Sequence, residues 1–161
     1  MSTPNSHDVH VLNSLIETTL DSADGYREAA KESDNPRFQS LFEQRSFERQ
    51  QVAEDLRSTV TSLGGKAEDD GSILAKAHRA FLDIKHALLR DEQAVVNSVE
   101  NGEDFIKAKF EKALEDSDVS PSTRDAIRRA YDSVRSGHDQ MRDLKHSLEG
   151  QQDASNRLFP Q

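Results

Sequence analysis

The feature that most constrains this chain is the spacing of its apolar residues, which recur every three or four positions over four long stretches. A period of about 3.6 residues places apolar side chains on one face of an α-helix. The stretches cover about residues 8–32, 36–63, 72–116 and 121–149. None of them alternates apolar and polar residues as a half-buried strand does. The sequence therefore predicts an all-α protein.

Prolines and glycines mark the ends of these helices. Asn35 and Ser120 each stand directly before a proline, which predicts a helix N-cap followed by proline at the first helical position. The pair Gly64 and Gly65 predicts the end of the second helix, and Gly150 predicts the end of the last. The connections before the second helix and before the last helix are therefore short.

The third stretch is too long to fit beside the other three. At 1.5 Å per residue, an unbroken helix over 72–116 would be roughly 67 Å long, whereas each of the others is roughly 40 Å. A break near Arg90 and Asp91 leaves a bundle helix over 91–116 and a shorter helix over 73–90 in the connection before it. A four-helix bundle with one long crossover between its second and third helices is the ferritin-like topology.

The length of the chain, 161 residues, is sufficient for one domain with a core. We expect a flexible N-terminus over 1–7, one ferritin-like helical bundle over 8–149, and a flexible C-terminal tail over 150–161.

Composition and charge exclude several classes of function. The chain has no cysteine, which rules out disulfides and thiol catalysis. Its net charge of −9 disfavours nonspecific electrostatic binding to nucleic acid or to an anionic membrane. No apolar stretch approaches the roughly 20 residues of a membrane span, and the first residues lack the pattern of a signal peptide. We expect a cytoplasmic protein that binds neither nucleic acid nor membrane.

Several short motifs occur in an order that matches a known family. They are Leu12-Asn13-Ser14-Leu15-Ile16, Gly25-Tyr26-Arg27, Leu41-Phe42-Glu43, His78-Arg79, Lys85, Gly102-Glu103-Asp104 and His138-Asp139. Through these motifs, over about residues 10–148, the chain resembles an uncharacterised bacterial family of ferritin-like bundles, classed as a domain of unknown function. The resemblance implies the fold and an association with bacterial stress responses. It implies no established reaction.

The residues of a ferritin-like metal site are missing. Di-iron bundles place a Glu on each of two helices and Glu-x-x-His on each of the other two, because two hard cations need bridging carboxylates with imidazoles to complete their coordination. This chain has no Glu-x-x-His: Ser46 follows Glu43 at that spacing, and Arg135 precedes His138. The inward position of the first helix is Thr19, a poor ligand. The sequence predicts that no di-iron centre forms and that no cofactor binds.

Charged residues point inward where the metal site would be. They are Arg45 and Arg49 in the second helix, Glu92 and Glu103 in the third bundle helix, and His138 in the last. Three interpretations stay open: charged tips that reach solvent from the edge of the core, a buried ion network, or a mononuclear metal site formed by Glu100, Glu103 and His138. We expect Arg45 or Arg49 to pair with Glu103 close to His138, because an unpaired buried charge is costly.

Two further features concern the surface. Four acids of the first helix, Glu17, Asp21, Asp24 and Glu28, form a stripe roughly 150° from its apolar face, and we expect this stripe to be solvated. Phe47 points away from the apolar face of the second helix. We expect the crossover helix or a second copy of the protein to cover it.

These features favour a non-catalytic bundle that acts through protein contacts, either with another protein or with a second copy in a homodimer. Two alternatives stay open. One is a metal-binding or redox protein with a degenerate ferritin-like site, and the other is a small-molecule binder that uses the bundle interior.

Overall fold

The computed structural model describes residues 5–33, 35–68 and 92–158, with side chains described at 5–31, 33, 35–68, 99–144 and 146. The described residues form four α-helices and no strand, which confirms the all-α prediction. The helices are α1, Ser6–Glu32; α2, Pro36–Ser62; α3, Glu92–Glu115; and α4, Pro121–Leu158. None of them contains a stretch long and apolar enough to cross a membrane. The predicted crossover helix over 73–90 and the break at Arg90 and Asp91 lie outside the described residues.

Both ends of α2 follow local signals, whereas the end of α4 does not. The Asn35 side chain accepts a hydrogen bond from the backbone N–H of Arg37 at 3.0 Å, with Pro36 at the first helical position. Gly64 follows α2 with φ +79°, a left-handed conformation that favours glycine. The prediction that the last helix ends at Gly150 is wrong, since α4 continues to Leu158. A glycine inside a helix costs only about 1 kcal/mol relative to alanine, and good helix formers flank Gly150 on both sides.

Four helix termini meet at one end of the bundle. The Asn5 side chain donates to the carbonyl of Leu63, which follows α2. His7 contacts Asp116, which follows α3, at 2.8 Å. The start of α1 therefore lies beside the ends of α2 and α3, and α2 and α3 run in the same direction. The connection from Ser62 to Glu92 consequently joins opposite ends of the bundle.

Asp8 joins α1 to the start of α4. Its buried carboxylate accepts hydrogen bonds from the backbone N–H of Ser120 at 3.1 Å, the Ser120 hydroxyl at 2.5 Å and the Thr123 hydroxyl at 2.9 Å. Burial raises the pKa of Asp8, but the hydrogen bonds from Ser120 and Thr123, together with the nearby His7, outweigh burial and lower the pKa below its ordinary value. The carboxylate stays ionised at neutral pH, so this end of the bundle is held by charge-assisted hydrogen bonds.

The apolar core has two parts. The larger part lies toward the end where Asp8 binds α4 and includes Leu56, Phe110 and Ile127. The other lies toward the opposite end and includes Phe42 and Met141. Between these parts, at the middle of the bundle, lie the inward-facing charged residues.

Candidate functional site: a buried ion network at the middle of the bundle

Arg49 and Glu103 form the centre of this network. The Arg49 Nη2 to Glu103 Oε2 distance is 2.7 Å, and each side chain is only 1% exposed. The second carboxylate oxygen, Oε1, accepts a hydrogen bond from the hydroxyl of Tyr26 on α1. The prediction that Arg45 or Arg49 pairs with Glu103 is thus confirmed for Arg49, and the interpretation in which charged tips reach solvent is wrong for Arg49 and Glu103. The neighbouring helices cover the tips completely.

Arg49 has two further contacts, with Ser22 and with the ring of Tyr26. Its Nη1 donates to the hydroxyl of Ser22 at 3.1 Å, and its Cζ lies 5.9 Å from the centre of the Tyr26 ring. Burial alone lowers the pKa of Arg49, but the Glu103 carboxylate more than compensates, so the pKa is raised. Burial, followed by the charge of Glu103, holds the pKa of Tyr26 well above 10. The centre therefore consists of a charged guanidinium and a protonated phenol, both held by one carboxylate.

Arg45 extends the network toward the surface. Its guanidinium contacts the carboxylate of Glu48, one turn along α2, and the side-chain oxygen of Gln140 on α4. The Arg45 side chain is 3% exposed, whereas that of Glu48 is 36% exposed. Its Nε has no hydrogen-bond partner among the described residues. Arg45 is therefore a second buried cation whose partners lie near the rim of the bundle.

Gly137 provides space for both guanidinium groups. A Cβ added to this buried glycine would lie 2.7 Å from Arg49 Nη2 and 2.9 Å from Arg45 Nη1. Any larger residue would have to displace a charged group that is already paired. Gly137 was not predicted from the sequence to have a role, although a lone glycine within a helical pattern is the ordinary signal of close packing.

His138 belongs to a separate pair. Its Nε2 lies 2.6 Å from Asp104 Oδ1 on α3, and its Nδ1 lies 3.5 Å from Asp139 Oδ1. His138 is only 6% exposed, whereas the side chain of Asp104 is 60% exposed. The histidine therefore lies next to Gly137 in the chain but has an acid other than Glu103 as its partner.

The residues at the middle of the bundle do not fit a di-iron centre. Glu103 is engaged by Arg49 and Tyr26, and the Thr19 hydroxyl donates to the carbonyl of Leu15 at 2.6 Å. A guanidinium beside the carboxylate opposes a divalent cation at the same oxygen atoms. The ligand atoms of the candidate metal residues Glu100, Glu103 and His138 do not gather within 4.8 Å of one another, and Glu92 lies among the residues whose side chains are not described.

A cluster with ligand geometry lies elsewhere. Within the described part of the chain, the one group of three histidine or acidic side chains whose ligand atoms lie within 4.8 Å of one another is His7, Asp116 and Asp118. His7 and Asp118 are exposed, and Asp116 is half-buried. His10 lies one helical turn from His7 and lines the same surface recess as Asp116. This cluster was not predicted, because Asp116 and Asp118 lie 109 and 111 residues after His7 in the sequence.

The acidic stripe of α1 is only partly solvated. Asp24 and Glu28 are exposed as predicted, but Glu17 and Asp21 are half-buried. One oxygen atom of Asp21 is buried without a hydrogen-bond partner among the described residues. Burial, together with repulsion from Asp24 and Glu17, raises the pKa of Asp21 to about 7.

Phe47 is 62% exposed. It borders a surface groove of about 550 Å³ between α2 and α4. The prediction that a crossover helix or a second copy covers Phe47 stays a prediction, since residues 73–90 lie outside the described residues.

Comparison with known proteins identifies one family. A family model described as a domain of unknown function, DUF2383, matches residues 8–116. The matched region contains α2, α3 and all of α1 except its first two residues. Arg49, Glu103 and Tyr26 lie within it, whereas Gly137 and His138 on α4 lie beyond it. No curated protein matches the chain.

Proposed function

The chain belongs to the family described as domain of unknown function DUF2383, and from that premise we propose that it is a ferritin-like bundle that catalyses no reaction and acts through contacts with proteins. The observation that carries this proposal is the Arg49–Glu103 pair, because it fills the position at which a ferritin-like protein would hold its metal. The cytoplasmic location and the association with stress responses stay predictions.

The ferritin-like architecture is supported by the directions of the helices. Because α2 and α3 run in the same direction, a connection of bundle length must separate them, whereas α1–α2 and α3–α4 are joined by short connections. A bundle with one long crossover has this arrangement. The connection from Ser62 to Glu92 contains 29 residues, enough to return along a helix of roughly 40 Å.

A structural role for the interior is supported by the pairing of its central charged groups. Arg49 is held by Glu103 and Ser22, and Glu103 is held by Arg49 and Tyr26. A network with this degree of pairing specifies one arrangement of the helices. The alternative function, binding of a small molecule in the bundle interior, gains no support from these side chains, because their partners are within the protein.

Action through the surface is supported by Phe47. Phe47 is the one large hydrophobic side chain that is exposed among the described residues, and it borders a surface groove. Aromatic residues are enriched at the contacts that dominate protein interfaces. Val52, Ala126 and Ala130 form the buried apolar floor of this groove, and its other lining residues apart from Phe47 are polar. It is therefore the part of the described surface that best fits a protein partner.

Photo-crosslinking in the native host tests this proposal. Gln51 is exposed and lines the groove, whereas Glu43 is exposed on the same helix and does not line it. A photoreactive phenylalanine analogue at position 51 should form a discrete protein adduct, and the same analogue at position 43 should not. Absence of an adduct at position 51 would refute action through this groove. Uptake of two irons per chain with ferroxidase activity would refute the non-catalytic assignment.

A second candidate function, metal binding, is favoured by the cluster of His7, Asp116 and Asp118. One imidazole and two carboxylates are suitable ligands for a divalent transition metal. Titration of the purified protein with Co²⁺, followed by visible absorption, should give a saturable spectrum that His7→Ala abolishes and His10→Ala retains. A spectrum that does not change between wild type and His7→Ala would exclude this cluster as the site.

A further inference from the structure

The groove between α2 and α4 carries a combination of features that the buried network does not explain. Phe47 is 62% exposed, and the groove that it borders is lined on α4 by Ala126, Ala130 and Ser133. These three small residues are spaced four and three positions apart on one helical face, and Ala126 and Ala130 are each only 8% exposed, so they form a low ridge at the floor of the groove. A low ridge beside a protruding aromatic ring allows a second helical surface to approach closely.

The described part of the connection after α2 lies on the other side of the bundle. Gly65 packs against Val9, and the carbonyl of Lys66 and the backbone N–H of Glu68 both bond to the Asn13 side chain on α1. Helix α1 packs mainly against α2 and α3, whereas the groove lies between α2 and α4. The chain thus leaves α2 toward α1 and away from Phe47.

We propose that the groove between α2 and α4 is the interface of a homodimer, with Phe47 of each copy packed on the low ridge of α4 in the other. This inference rests on the proposed function, because it names the protein partner as a second copy of this chain. A two-fold interface needs a surface that is complementary to itself. The charges beside this groove meet that requirement in one orientation.

Asp55 and Arg129 make the surface self-complementary. Both are exposed, both line the groove, and they lie on α2 and α4 respectively. A two-fold axis parallel to the helices places α2 of one copy opposite α4 of the other at the same height, so each Asp55 faces the partner's Arg129. An axis across the helices would instead place α2 against α2, so Asp55 would not face Arg129. Because each chain carries a net charge of −9, local cations at the interface are needed to offset repulsion.

The same arrangement places the aromatic contact at one end of the groove, because Phe47 is the first of the lining residues on α2. Since α2 and α4 run in opposite directions, Ser133 is the residue of the low ridge that lies nearest the height of Phe47. The partner's Phe47 therefore packs beside Ser133, while Asp55 and Arg129 lie nearer the middle of the groove.

Sedimentation equilibrium of the purified full chain tests the proposal. Wild-type protein should be dimeric at micromolar concentration, and Phe47→Glu should raise the dimer dissociation constant at least tenfold, because it replaces the apolar contact with a buried negative charge. Glu43→Arg, an exposed change on the same helix that does not line the groove, should leave the constant within about twofold. Circular dichroism should show equal helix content in all three proteins.

Charge reversal distinguishes this dimer from other assemblies. Asp55→Arg and Arg129→Glu should each weaken the dimer, and the double variant should restore it, because each pair is re-formed with opposite sign. A wild-type protein that is monomeric at every concentration would overturn the dimer, as would one whose dissociation constant does not change in Phe47→Glu. If the adduct at position 51 joins a different protein to a monomeric chain, the dimer is wrong and the proposed function stands. If no adduct forms, both fail.

Discussion

Replacement of Glu103 by alanine should be among the most damaging single changes in this protein. The substitution removes the partner of the Arg49 guanidinium and the acceptor of the Tyr26 hydroxyl, and both groups are buried. Loss of one member of a buried ion pair typically costs about 3–5 kcal/mol, because the other charge stays desolvated without compensation. With a urea dependence of about 2 kcal/mol per molar, the unfolding midpoint should fall by about 2 M.

The assay is urea denaturation at neutral pH, followed by circular dichroism. Glu28→Ala is the matched control, since this glutamate is 56% exposed and lies 3.7 Å from Lys31, and its loss should cost about 0.5 kcal/mol or less. The triple variant with Tyr26→Phe, Arg49→Met and Glu103→Leu should recover most of the lost stability, because it leaves no buried charge without a partner. A loss below about 1 kcal/mol for Glu103→Ala would show that water reaches Arg49, and would refute the sealed network.

Three further substitutions should separate packing from electrostatics. Gly137→Ala should destabilise the protein by about 1–3 kcal/mol in the same urea assay, despite the higher helix propensity of alanine, because its methyl group overlaps the Arg49 guanidinium; an increase in stability would contradict the close packing. The lowered pKa of Asp8 means that its contribution to stability is present above about pH 4 and is lost as pH falls through the folded-state pKa, so Asp8→Asn should be less stable than wild type at pH 7 and should approach it near pH 2. The pKa of Asp21, raised to about 7, gives the opposite pH dependence: the folded state binds the extra proton, so stability is lost as pH rises from about 4 to 7. Asp21→Asn should therefore exceed wild type in unfolding midpoint at pH 8, with a smaller difference at pH 5, and equal differences at both pH values would contradict the raised pKa.

Local patterns in the sequence were sufficient to predict the helices. A 3.6-residue apolar period and an Asn-Pro pair depend on only a few neighbouring residues, so α1 and α2 agree with their predicted limits within about two residues. Gly150 failed as a helix end because a glycine terminates a helix only when the flanking residues do not favour continuation, and here they do. Helical phase also predicted that Arg49 and Glu103 face inward, because side-chain direction around a helix follows from residue number alone.

Tertiary packing decided what those inward charges do. Helical phase gives a direction but neither the depth of a side chain nor its height relative to residues on another helix. It therefore left open whether Arg45 or Arg49 would bind Glu103, and it gave no indication that Tyr26 would complete the pair. For the same reason, the role of Gly137 could not be predicted. Its lack of a side chain matters only because two guanidinium groups from α2 lie where its Cβ atom would be. Burial and partnership of these charges are set by how closely four helices approach one another, and that distance depends on all of their side chains at once.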